Sequence, residues 1–184
     1  MDTKERQLKK QQEILGGYNK DEYATERFLF PQEMESKCLY PLFTKRNEKN
    51  GSNPLLLAMG MVLMAPVPMP ILTGTYFSLL NRGFIYAIAH IRGGQEMGRK
   101  WYDDGKMLKK KNTFNDFIDC GEYLVKEKYT SKEHLYALGG SAGGLLMGAV
   151  VNMAPGSLAR RDCRSSLRGC RHYDERPGYS IDNK

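Results

Sequence analysis

The chain has 184 residues, 41% hydrophobic and 27% charged, with a formal net charge of +7; this balance excludes a wholly disordered polymer and allows one domain with a buried core. Residues 99–111 carry six Lys/Arg against two Asp, and residues 156–184 seven against four acids, which accounts for the whole positive excess. A basic excess confined to one turn and a tail disfavours a nucleic-acid face, and no run of about 18 apolar residues exists to span a membrane.

In chain order, Met1 to Arg6 are charged and carry no apolar core, so no signal peptide is expected and a cytoplasmic location is. Residues 1–48 read as a polar lead-in, 49–155 as an α/β core and 156–184 as a disordered Arg/Cys-rich tail. Within the core, Gly83-Phe-Ile-Tyr-Ala-Ile-Ala-His-Ile91 is a near-continuous apolar run, the pattern of a strand covered on both faces. Arg92-Gly93-Gly94 ends it. Thr113-x-x-Asp116 has the form of a capping box, with Asp in place of Glu. Phe114, Phe117, Ile118, Gly121, Leu124 and Val125 follow at helical spacing. A second strand over His134–Leu138 leads into Gly139-Gly-Ser-Ala-Gly-Gly144, and Leu145–Met153 reads as a buried helix. Alternating strands and helices predict a parallel α/β architecture. Cys38, Cys120, Cys163 and Cys170 lack paired spacing, so reduced thiols are expected and no metal or cofactor.

Gly139-x-Ser141-x-Gly143, between a predicted strand and a predicted helix, matches a nucleophile elbow. The turn is tight enough to clash with side chains on either side of the serine, and glycine at both flanks removes the clash. The Ser141 hydroxyl then projects above the sheet, with the Ala142 amide placed as one oxyanion donor. A phosphate-binding turn would instead bring G-x-G-x-x-G or a Walker lysine, and neither is present. Serine needs a histidine base oriented by a carboxylate. His172 alone lies downstream, in the tail; His90 is expected in a strand and His134 at the exposed start of one.

Four segments, Arg92-Gly-Gly-Gln-Glu96, Trp101-Tyr-Asp-Asp-Gly-Lys106, Lys109 to Phe117 and Gly139 to Gly144, together resemble the prolyl oligopeptidase family over residues 83–155. The three lysines before Asn112 and the alanine after Ser141 resemble its oligopeptidase B branch, while Gln95 departs from the family's usual third glycine. The resemblance implies an incomplete α/β-hydrolase fold, a parallel sheet with flanking helices, without the β-propeller and the C-terminal part of the catalytic domain. It implies acyl transfer through Ser141 on short peptides, after Arg or Lys in the oligopeptidase B branch, in the cytosol. Neither nucleic acid nor membrane is an implied partner. The family's Asp and His are expected beyond residue 184, so little activity is expected of these residues alone. A non-catalytic binding protein on the same fold is the alternative.

The resemblance breaks between Leu57 and Tyr76. The family shows Y-G-Y-G-S-Y-G there, and its second tyrosine donates to the oxyanion, whereas this chain reads Met59-Gly-Met-Val-Leu-Met-Ala65. Back-translated with permitted codons and read in the adjacent frame, Met59–Ala65 returns Y-G-Y-G-S-Y-G. Residues 31–45 and the tail from Arg164 likewise return family-like peptides. The expectation is a reading frame that slips at these places, leaving the methionines of 59–69 and the tail arginines without a role of their own. Sequencing the locus and its transcript is expected to reveal the slips; one uninterrupted frame encoding these residues as they stand refutes them.

Overall fold

Three short apolar segments, Leu55–Met59 (β3), Ile85–Ala89 (β4) and Leu135–Gly140 (β5), lie parallel at the centre of the protein, with β3 between the other two. The computed structural model describes residues 17, 19–31, 37–45, 50–60, 74–156 and 160–164. Tyr23–Pro31 (β1) and Lys37–Lys45 (β2) pair antiparallel, and β2 pairs antiparallel with β4 through Leu42 opposite Ala87. Arg160–Arg164 (β6) runs parallel to β5. The six-stranded sheet therefore has the order β1-β2-β4-β3-β5-β6. The expected parallel sheet is present as β3 to β6, and β1 and β2 extend it into a mixed sheet. Of the stretch set apart as tail, 160–164 is described as this edge strand, whereas His172 lies outside the described residues.

Both faces of the central strands are covered, which is why their sequences are apolar at successive positions. Side chains alternate with period two. Leu55, Leu57, Ile85, Ala87, Ala89, Leu135 and Ala137 belong to one buried cluster, while Ala58 and Tyr86 belong to the other. Gly74–Leu80 (α1) covers the second face with Leu80, Phe77 and Tyr76, the Tyr76 and Tyr86 rings stacking 4.0 Å apart. Burial pushes the Tyr86 phenol far above its ordinary value. Lys110–Lys126 (α3) and Ala142–Met153 (α4) cover the first face, with Phe117, Cys120, Leu124, Leu146, Met147 and Val150 buried against the strands. Gly121 lets α3 approach closely, since a Cβ there would come within 3.1 Å of Leu135 Cδ2.

The connection from β4 to α3 contains a short helix, Arg99–Asp103 (α2), and is pinned by a buried polar knot. Arg92 donates to the Asp116 carboxylate from its backbone N–H (2.9 Å), its Nε (2.9 Å) and its Nη2 (2.5 Å), and Asp116 is fully buried. The Thr113 hydroxyl lies within donating distance of the carbonyls of Arg92 (2.7 Å) and Gly105 (3.0 Å). A Cβ on Gly105 would land on the backbone of Arg92 and Gly93, so only glycine fits there. This corrects the capping-box reading of Thr113 and Asp116. The helix begins at Lys110, and its N-cap, Lys109, makes no side-chain cap bond. Residues three apart share a helix face, and here that face meets Arg92 instead of the helix's own amides.

Removing one partner of a buried pair leaves the other charged and unsolvated. Asp116→Ala is therefore expected to lower stability by about 3–5 kcal/mol, read from the denaturant midpoint. A loss under about 1 kcal/mol would mean that Arg92 finds another anion or reaches water.

Candidate active site

Ser141 stands where β5 passes directly into α4, with φ 53° and ψ −114°. A non-glycine residue in this region is strained, at a cost on the order of 1–3 kcal/mol. It persists only where surrounding packing enforces it. Gly139 supplies that packing, because a Cβ there would land on the Gly143 carbonyl and come within 2.9 Å of Met147 Cγ. Gly143 is the looser flank: its missing Cβ would meet only the Met59 methyl, at 3.2 Å. The two elbow glycines thus contribute unequally, Gly139 through backbone contact and Gly143 through a flexible side chain.

The Ser141 residue is exposed and its side chain makes no capping bond to the helix. Its carbonyl accepts from the Gly144 N–H at 2.9 Å. Ala142 opens α4, in the first turn, where backbone amides have no intrahelical acceptor. Its N–H and the helix dipole are therefore available to a negative oxygen forming beside Ser141. Strand β5 ends at the carboxyl edge of the parallel strands, the edge at which open α/β sheets hold their ligands.

Histidine placement separates the parts of a triad. His90 leaves the carboxyl end of β4, on the same edge as Ser141 but with β3 between their strands. Its Nδ1 lies 3.3 Å from Glu96 Oε1, both side chains being mostly buried, and its ring packs over Gly60. His134 is exposed at the opposite, amino end of β5, 3.4 Å from the Ser131 hydroxyl. Neither is thus a neighbour of Ser141. Residues 61–65, where the family's tyrosine donor is expected, are outside the described residues. A shallow cleft of about 670 Å³, lined by Glu122, Val125, Lys126, Lys132, Met153 and Pro155, lies at the C-terminal ends of α3 and α4. That is the far edge from Ser141.

A tertiary contact onto the elbow that sequence could not foretell is made by Met59, one of the methionines expected to have no role, which ends β3 and rests on Gly143. Nothing local marks it, because the contact depends on β3 being the neighbour of β5.

Comparison with known proteins gives the same region. Residues 72–157 match the model of the prolyl oligopeptidase family. Dipeptidyl aminopeptidase BI of Pseudoxanthomonas mexicana is 50% identical over 157 residues, covering 83% of this chain and 21% of that protein. Protease 2 of Moraxella lacunata is 37% identical over 155 residues, covering 84% of this chain and 22% of the relative. Among solved structures, oligopeptidase B from Leishmania major has a TM-score of 0.72 at 38% identity, covering 79% of this chain and 20% of that one. A post-proline cleaving enzyme from Rickettsia typhi has a TM-score of 0.76 at 28% identity, with 83% and 22% covered. The chain thus spans about a fifth of the length of the curated relatives it matches, and its fold is a fragment of their α/β-hydrolase domain.

The packing at the elbow predicts opposite signs for two glycine substitutions. Gly139→Ala is expected to lower the melting temperature, because its methyl strikes backbone. Gly148→Ala, in mid-helix with nothing within 4 Å, is expected to stabilise by about 0.5–1 kcal/mol. Equal effects in calorimetry would show that the turn at Ser141 is not closely packed.

Proposed function

Over residues 72–157 this chain belongs to the prolyl oligopeptidase family of serine peptidases, and we propose that it carries the nucleophile-bearing part of a serine-type endopeptidase or oligopeptidase. The Ser141 hydroxyl attacks the scissile carbonyl of a short peptide, and the Ala142 N–H is one donor to the tetrahedral oxyanion. The proton released from Ser141 goes to a histidine base and then to the leaving amine. The single observation that carries this reading is an exposed serine at φ 53° between a buried strand and a helix N-terminus. A glycine-rich structural turn would have no reason to hold a serine in that conformation.

The substrate class is short peptides. Cleavage after Arg or Lys follows the oligopeptidase B resemblance, whereas relatives named prolyl endopeptidase indicate that the residue preceding the cut varies within the family. In a Trypanosoma brucei oligopeptidase B, antipain is covalently bound, which agrees with a nucleophilic site open to peptide-like inhibitors. Among the described residues no helix is long and apolar enough to cross a membrane; a cytoplasmic location belongs to the same proposal.

The 184 residues by themselves are proposed to be nearly inactive, because neither described histidine is a neighbour of Ser141. A non-catalytic binding role for this chain is the second reading, and the same observation favours it. A fluorophosphonate probe with added imidazole separates the cases. Slow labelling at Ser141, accelerated by imidazole and abolished in Ser141→Ala, is the expected result: an oxyanion site alone retains about 10³–10⁴-fold catalysis over water. Label scattered over other serines would sink the nucleophile assignment. Fast labelling without imidazole would overturn the inactivity and place a base within these residues.

A further inference from the structure

The segment between β4 and α3 lies on the carboxyl edge of the sheet, because β4 ends there and α3 returns from there to the start of β5. It shares that edge with Ser141. Its basic stretch, residues 99–111, is unusual in two ways. Met107 and Leu108 are 86% and 102% exposed, and Met107 is held at φ 47°. The same stretch holds six cations and two anions, with Lys106, Lys109, Lys110 and Lys111 adjoining this apolar pair in sequence. Lys106 lies 2.6 Å from Asp103 and Lys109 2.7 Å from Asp104, and each holds its partner's carboxyl below the usual range. Arg99 reaches Asp103 at 3.4 Å and lies over the Tyr102 ring. Lys110 and Lys111 have no ion-pair partner among the described residues, and burial pushes the Lys110 ammonium below its usual value.

An exposed apolar pair beside uncompensated cations fits an occupant with carboxylates around one or two apolar side chains. Nucleic acid is the poorer match, since base stacking needs an open aromatic face, and Tyr102 is already covered by Arg99 and Lys106. A membrane surface is poorer too, because two side chains make too little apolar area for stable anchoring. We propose that residues 99–111 form a docking surface for acidic peptide segments, so that peptides presented to Ser141 carry Asp or Glu at a distance from the bond to be cut. The place of this surface in catalysis rests on the peptidase reading; the binding itself does not.

The test is fluorescence anisotropy of the 184-residue chain carrying Ser141→Ala, with a labelled peptide of Glu, Asp and Leu and its Gln/Asn counterpart. The acidic peptide is expected to bind about tenfold more tightly (about 1.4 kcal/mol) and to weaken as salt rises. Lys110→Glu with Lys111→Glu is expected to remove most of that preference, and Met107→Ser with Leu108→Ser to weaken both peptides. Circular dichroism of each variant confirms that it remains folded. Equal binding of the two peptides, or a preference untouched by the lysine reversals, overturns the proposal. Tighter binding of a single-stranded oligonucleotide, or of phosphatidylserine vesicles, overturns it in favour of a general anion surface. Absence of probe labelling at Ser141 in the unsubstituted chain, with peptide binding intact in the Ser141→Ala chain, would reject the peptidase reading alone.

Discussion

The buried bond between Arg92 and Asp116 is the constraint on which the arrangement of the carboxyl edge depends. Arg92 follows the end of β4 and Asp116 lies two turns into α3, so three donors from one residue tie the strand end to the helix. Fixing α3 in this way fixes the depth at which Phe117, Cys120 and Leu124 enter the core. The same core packs α4, and α4 begins at the strained serine. Two charges deep in the fold are expensive to desolvate, and here the backbone N–H, Nε and Nη2 of Arg92 each find a carboxylate oxygen of Asp116.

Strain at Ser141 and the clamp at Arg92 lie on the same edge but are enforced differently. The clamp is electrostatic and makes its own geometry. The elbow is steric: the serine holds φ 53° because the missing Cβ of Gly139 lets α4 close down on β5, and any loosening of α4 would allow the serine to relax. Met59 closes the arrangement from β3. The strained conformation at this position is therefore a property of three elements packed together, not of a five-residue motif.

Much of this was legible in the sequence because it is local. The apolar runs of β4 and β5, the helical spacing of α3 and the glycine pattern around Ser141 each encode their element within a few residues, and the family resemblance covers the same region. What escaped was non-local. Thr113 and Asp116 carry the spacing of a helix cap, and only the fold reveals that they face a buried arginine. Strand β1 sits in a stretch that reads as polar because its partner, β2, is what makes it a strand. Arg160–Arg164 pair with β5 through the backbone, which hydropathy does not report. The Met59 contact with Gly143 follows from strand order alone.

That strand order also governs how the chain can be made. Strand β3 sits between β4 and β5, and its pairing on one side sets Leu55 opposite Leu135, eighty positions further along. At a synthesis rate of about 5–20 residues per second, its Leu-Leu-Leu-Ala-Met edge waits roughly 4–16 seconds for that neighbour to leave the ribosome. Throughout that interval the β5-facing side of β3 offers open backbone groups to any passing chain, so mispairing at β3 is a hazard of synthesis that the finished sheet no longer shows.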